Sequence, residues 1–186
     1  MNQDLKTHYF KKLRSDLQKQ LGLDNLEAVP KLTKITINTS SSDFKTDAEL
    51  VKKTKSWLSD ITGQAPQETK ARQSIAGFNV RQGDVVGLRV TLRGRRMYDF
   101  YSKLVNIVLP RIKDFQGVGR THFDTRGNYT LGLKEQIVFP EVEYDKISRV
   151  QGLEITINTS ALDREKSLIL LSSLGMPFEK VEEATK

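Results

Sequence analysis

Apolar residues recur along this chain with two different periods, and the places where one gives way to the other outline its elements. Leu5, Tyr9, Leu13, Leu17 and Leu21 form one stripe on an otherwise polar segment, which predicts a helix over residues 4–21 stopped by Gly22. After Pro30 the period drops to two. In "KLTKITINT", residues 31–39, Ile35 and Ile37 take one side and Lys34, Thr36 and Asn38 the other, the pattern of a half-buried strand. "DFKTDAELVKKTKSWLSDITG", residues 43–63, returns to the helical period through Ala48, Val51, Leu58 and Ile61. Asp43 or Asp47 is placed to cap that helix and Gly63 to end it.

Further along, "QAPQETKAR" predicts a short strand, and "QSIAGFNVRQGD", bracketed by Gly77 and Gly83, a loop. "VVGLRVTLR", residues 85–93, alternates most cleanly: Val86, Leu88, Val90 and Leu92 face one way, Arg89, Thr91 and Arg93 the other. A helix is predicted from Arg95 to Leu109, on Met97, Phe100, Tyr101, Leu104, Ile107 and Val108, with Pro110 at its limit. Residues 111–128 have no period and predict a long irregular segment, followed by a strand, "YTLGL". Residues 134–150 are apolar and acidic in turn and support no single assignment. "GLEITINTS" is a second clear strand, and Asp163 is expected to cap a last helix running to Leu174.

Strands and helices mix without a regular βαβ period, and the strands alternate instead of being apolar throughout. The expected fold is therefore α+β: an antiparallel sheet with helices packed on one face, a single domain with long loops over residues 1–180, and a flexible tail at 181–186. A chain of 186 residues with 37% hydrophobic content can bury a core of ordinary size. No apolar run approaches the ~20 residues of a membrane span, so no membrane association is expected.

Charge sharpens the picture. Residues 1–65 hold 11 basic and 8 acidic side chains, residues 66–126 hold 12 and 5, and residues 127–186 hold 7 and 10. The formal charge of +7 is thus concentrated in the middle third, a directed field suited to a polyanion. Candidate catalytic chemistry is absent by comparison. Gly117-Val118-Gly119 lacks the third glycine and the strand-to-helix setting of a phosphate loop and reads as a turn. With no cysteine and only His8 and His122, no zinc site is expected, and neither a metal nor a cofactor is implied. No carboxylate pair stands beside a recognisable nucleophile, which argues against an enzyme.

The hexapeptide "ITINTS" occurs twice, at residues 35–40 and 155–160. Ser, Thr and Asn at a strand end are ordinary helix-entry residues, so capping is the plain explanation for each copy. Both copies match the Asn-x-Ser/Thr glycosylation pattern, but no secretory signal is visible and that possibility is set aside. The alternative is RNA. Guanidinium, hydroxyl and amide side chains alternating on an exposed sheet face hold phosphates and ribose 2′-OH groups, and without aromatic pairs on the basic strand the expected mode is shape and backbone recognition.

The stretches "GFNVRQGDVVGLRVTLRGRRMYDF", "LPRIKDFQGV", "FDTRGNYTLGLKEQIVFPEVEYDK" and "LLSSLGMPF" resemble the bacterial form of the large-subunit ribosomal protein five family, over nearly the whole chain and in the family's order. The resemblance implies an α+β fold, 5S rRNA binding in the central protuberance beside other proteins there, and contact with 23S rRNA. It also implies a loop approaching P-site tRNA, a bridge to a small-subunit head protein, and a ribosome-bound location in the cytoplasm. Carried over by position, Asn38 and Gln64 match residues used on 5S rRNA, and Thr69, Lys70, Arg72, Thr91 and Arg93 match the family's RNA surface. Arg89, Arg95 and Arg96 complete the expected RNA-binding set. Residues 72–83, with Gln73, Ser74, Ile75, Ala76, Gly77, Phe78 and Asn79, match the tRNA-approaching loop. Residues 111–148, with Arg111, Lys113, Asp114, Phe115 and Gln116, match the bridge. Asn158 in the second hexapeptide matches no RNA contact.

Three departures from the family pattern stand out. Thr39-Ser40-Ser41-Ser42 replaces a Met-Gly-Val-Gly run, which removes positive-φ freedom beside the RNA face. Arg95 stands where an acidic residue is usual, and Thr125 where the "FDTRGN" turn has glycine. A free RNA chaperone or accessory RNA-binding protein on the same fold is the competing expectation; an RNA-modifying enzyme fails for want of a site.

Overall fold

The computed structural model describes residues 4–143 and 149–179. The expected tail at 181–186 and the end of the expected bridge region, residues 144–148, lie outside the described residues. Helix α1 (Leu5–His8), a π-helical turn (Tyr9–Leu13) and α2 (Arg14–Gln20) follow one another without a break. The remaining elements are β1 (Leu32–Ser40), α3 (Ala48–Thr62), β2 (Gln67–Lys70), β3 (Val85–Leu92), α4 (Gly94–Lys103), β4 (Tyr129–Leu133), β5 (Leu153–Thr159) and α5 (Arg164–Ser173). The strands form one antiparallel sheet in the order β2-β3-β1-β5-β4, and the fold is α+β as the alternating strands predict. No helix is long and apolar enough to cross a membrane.

The chain divides into two compact units. One comprises residues 35–92 and 132–156. In it Ile35 and Ile37 of β1 and Leu88, Val90 and Leu92 of β3 are buried, as are Leu50, Val51, Leu58 and Ile61 of α3. Asp47, one of the two candidate caps, accepts from the Leu50 amide at 2.9 Å, and Gly63 closes α3 with φ 64°. The other candidate, Asp43, lies instead in a 3₁₀ turn (Ser42–Lys45) whose cap is Ser41, and it pairs with Arg149. Gln136 and Gln151, both buried, bind each other and hold the segment after β4: Gln136 Oε1 accepts from the Gln151 amide at 2.6 Å, and its Nε2 donates to Arg149 O at 2.8 Å. Among the described residues of the ambiguous stretch, the Gln136 side chain thus ties Arg149 and Gln151 to a short 3₁₀ turn (Gln136–Val138).

The other unit comprises residues 1–34, 93–131 and 157–186. Tyr9 and Leu17 of the expected first stripe are buried, and the Tyr9 hydroxyl donates to Pro30 O at 2.6 Å. Burial pushes the pKa values of Tyr9, Tyr98 and Tyr129 up to about 12. The helical path of α4 continues past Pro110, through a π turn (Leu104–Val108) and a 3₁₀ turn (Leu109–Arg111). Proline is tolerated there because it occupies the start of that last turn. Asp163 occupies the N-cap position of α5 but makes no side-chain cap; the helix start is held by the Ser167 amide donating to Asp163 O at 3.1 Å.

The Gly117-Val118-Gly119 run is not a free turn. Val118 pairs with Phe178 in a short parallel bridge, and a Cβ on Gly117 would fall 2.6 Å from the Glu179 nitrogen, so this glycine serves a close backbone approach.

Candidate nucleic-acid interface

The β-ladder register converts the sequence alternation into rows across three strands. β1 pairs antiparallel with β3, setting Asn38 opposite Arg89 and Thr36 opposite Thr91; β2 pairs antiparallel with β3, setting Gln67 opposite Arg89 and Thr69 opposite Gly87. Directly opposed residues lie on the same face. One row therefore reads Asn38, Arg89, Gln67; its neighbours read Thr36, Thr91 on one side and Ser40, Gly87, Thr69 on the other. This is the face opposite to buried Ile35, Ile37, Leu88 and Val90. Gly87 leaves the row open: a Cβ there would stand 3.1 Å from Thr39 O and 3.9 Å from Asn38 Oδ1.

Of the expected residues, Asn38, Gln64, Thr69, Lys70, Arg72, Arg89 and Thr91 belong to this unit. Gln64 lies beside Thr91, its Nε2 donating to Thr91 O at 3.2 Å, so it fixes the edge of the face as well as displaying an amide. Arg93 extends β3 directly into α4, with φ −140° and ψ 166°, while Arg95 and Arg96 open α4; these three belong to the other unit, as do Arg111, Lys113, Asp114, Phe115 and Gln116. Among the described residues Arg95 makes a long exposed contact to Asp99, at 3.8 Å. Among the described residues no ion-pair partner is present for Lys70, Arg72, Arg89, Arg93 or Arg96. All five are exposed, and, behind the hydrogen bond from Lys55, the Lys70 charge also helps to hold the Glu68 carboxyl below its ordinary value. Thr36 falls on the Asn38 side as the alternation of the first strand predicts, whereas Gln67 and the pairing of Thr36 with Thr91 emerge only from the register.

The two hexapeptides turn out to do different work. In the first, Thr39 is buried and donates to Gly152 O at 2.8 Å, whereas the Asn38 carboxamide makes no hydrogen bond among the described residues. Asn38 lies inside β1, and the helix that follows is capped by Asp47, so capping does not account for it. In the second, buried Thr159 donates to Gly127 O at 3.0 Å and accepts from the Ala161 amide at 3.3 Å, and Ser160 Oγ accepts from the Lys31 amide at 3.0 Å. There the hydroxyls tie loops together, as strand-end punctuation predicts.

The replacement of glycines at 39–42 produces no strain. No residue there has positive φ, and Ser41 at φ −145° accepts from the Asp43 amide at 3.3 Å, a cap glycine cannot supply. At the "FDTRGN" turn the left-handed position falls on Gly127, φ 73°, and not on Thr125. Asp124 organises that turn, accepting from the Arg126 and Asn128 amides at 2.9 and 2.8 Å. Partial burial raises its carboxyl pKa, but the hydrogen bonds from Asn128 and Arg126 prevail and hold it below the ordinary aspartate value.

The 72–83 loop is more regular than its sequence suggests. Its base closes through Ala71 N to Asp84 O at 2.8 Å and Gly83 N to Ala71 O at 3.0 Å; Ile75 and Val80 pair; a 3₁₀ turn (Ala76–Phe78) ends at Asn79 with φ 49°. Phe78 at the tip is 72% exposed and Ile75 48%.

A polar sheet face whose guanidinium groups lack ion-pair partners among the described residues, on an α+β scaffold, has the chemistry to meet a polyanion. Comparison with known proteins makes this specific. Residues 25–81 match the ribosomal protein L5 family model and residues 85–178 match that of the ribosomal L5P family C-terminus. The large ribosomal subunit protein uL5c of Gracilaria tenuistipitata var. liui is 48% identical over 178 residues, covering 96% of this chain and 99% of that protein. The uL5 proteins of Microcystis aeruginosa and of an Anaeromyxobacter strain are 47% and 48% identical over 96% and 95% of the chain. The chain belongs to the ribosomal protein L5 family, a family of structural proteins and not of enzymes.

Proposed function

We propose that this chain is a structural constituent of the large ribosomal subunit, bound there to 5S rRNA through the face built on Asn38, Arg89, Gln67, Thr36 and Thr91. The observation that carries this is the row in which an unpaired guanidinium stands between two amides, a set that meets phosphate and ribose or base edges together. Names of relatives that place them in the large subunit support it. Gln64, Thr69, Lys70 and Arg72 extend the contact within that unit; Arg93, Arg95 and Arg96 of the other unit bind rRNA as exposed cations in their own right, with 23S rRNA as the second nucleic acid that a basic surface can meet. In the same proposal residues 1–180 act as one RNA-binding domain, Gln73 to Asn79 approach P-site tRNA, and Arg111, Lys113, Asp114, Phe115 and Gln116 meet a small-subunit head protein.

Sedimentation of a lysate tests the assignment. The chain is expected with large subunits at about one copy each, and its removal is expected to release 5S rRNA. A free pool of the protein at the top of the gradient, with subunits lacking it, would favour an accessory RNA chaperone.

A further inference from the structure

Lys45 ends the 3₁₀ turn after β1, and its ammonium reaches 33 and 34 residues along the chain to Phe78 O at 2.9 Å and Asn79 O at 3.2 Å. These are the carbonyls left over where the Ala76–Phe78 turn stops and Asn79 turns left-handed; a helical turn has no amides of its own to pair with them. A cation at such a terminus both satisfies the acceptors and meets the negative end of the turn. With both carbonyls held from one side, Phe78 and Ile75 remain directed outward. From Thr69 to Gly83 the chain carries Lys70, Arg72 and Arg81 and no acidic residue.

We propose that Lys45 is a positioning residue that locks the 72–83 loop in one conformation with the Phe78 ring presented at its tip, its charge committed to the loop and not to RNA. An exposed ring flanked by cations fits the π-face of an unpaired base between phosphates. That choice of partner rests on the tRNA reading of the loop; the clamp does not. Preorganisation of this kind raises affinity by removing the ordering cost at the moment of binding.

The test compares Lys45→Met, which keeps the aliphatic stem, with Lys45→Arg, which keeps the charge and the donors. In the full chain, Lys45→Met is expected to speed amide exchange at Phe78, Asn79 and Val80 by on the order of 5- to 10-fold. The melting temperature and the salt dependence of 5S rRNA binding are expected to stay at wild-type values, and Lys45→Arg to restore slow exchange. Large subunits carrying Lys45→Met are expected to hold P-site tRNA more weakly. Unchanged exchange in Lys45→Met, or a salt slope lower by about one, overturns the clamp; the second result would make Lys45 a phosphate contact. Faster exchange with normal tRNA binding upholds the clamp and removes tRNA as the partner of the tip.

Discussion

Replacing Asn38 by Asp and by Ala separates RNA contact from structural support. Asn38 lies mid-strand opposite Arg89, and its carboxamide has no protein partner among the described residues. Asn38→Ala therefore deletes no hydrogen bond among the described residues, and its effect on stability is expected within about ±0.5 kcal/mol. On RNA the same change removes one hydrogen bond, about 1 kcal/mol or roughly 5-fold in affinity. Asn38→Asp loses the amide donor and adds a carboxylate near phosphate. At ~6 Å and an effective dielectric between about 20 and 80, that repulsion is about 1–3 kcal/mol, so the total loss is on the order of 30- to 1,000-fold. The new carboxylate also faces the Arg89 guanidinium, which draws that cation away from RNA while stabilising the free protein by at most about 1 kcal/mol. Binding should thus rank wild type above Ala above Asp, and thermal stability should place Asp at or slightly above the other two. Fluorescence anisotropy with labelled 5S rRNA and thermal melts of the same preparations give both orders; Asn158→Asp, in the second hexapeptide, is the control and should bind normally. If Asn38→Asp binds like wild type while Asn38→Ala melts early, Asn38 is structural and the face has been misassigned.

Gly127→Ala should destabilise by about 3 kcal/mol or more, read as the midpoint of urea unfolding. It forces an L side chain into φ 73°, puts a Cβ 2.6 Å from Asp163 O, and disturbs the carbonyl that Thr159 and Ser167 share. Gly77→Ala, with open space and ordinary φ, should move the midpoint by under about 1 kcal/mol, and equal effects would refute the packing described around Gly127. Alkaline titration is expected to show the tyrosines late: folded-state pKa values of about 12 for Tyr9, Tyr98 and Tyr129 lie above the ordinary 10.0. Their contribution to stability is present in full below pH 10 and is lost as pH rises toward 12. Tyrosinate absorbance from more than one residue appearing near pH 10 in the folded chain would contradict that burial.

Much of the fold follows from periodicity, and the exceptions have identifiable causes. β3 and β4 end within a residue of their predicted bounds because strict alternation leaves one register compatible with a buried face. Periodicity is blind to the π turn at Tyr9–Leu13, where the stripe of Leu5, Tyr9 and Leu13 persists while the hydrogen bonding changes. It is equally blind to Lys45, whose partners are set by long-range chain closure. At the site, alternation exposed Arg89, Thr91 and Arg93, but which residues stand beside them depends on pairing between strands far apart in sequence. Gln67 could be found only from the ladder, as could the pairing of Thr36, already on the polar side by alternation, with Thr91. The identical "ITINTS" copies make the same point: their chemistry is fixed by what each strand pairs with, not by the hexapeptide.

The salt dependence of 5S rRNA binding by Arg89→Ala, measured beside wild type and beside Arg126→Ala as an exposed cation in another loop, tests the interface most directly. Arg89 stands at the centre of the row between Asn38 and Gln67 with no ion-pair partner among the described residues. If it holds phosphate, its removal releases about one fewer counterion, so the slope of log K against log salt becomes shallower by about one and affinity at low salt falls by roughly 10- to 100-fold. Arg126→Ala should reproduce the wild-type line. Arg89→Ala on the wild-type line, in slope and in affinity, would show that RNA binds elsewhere on the chain.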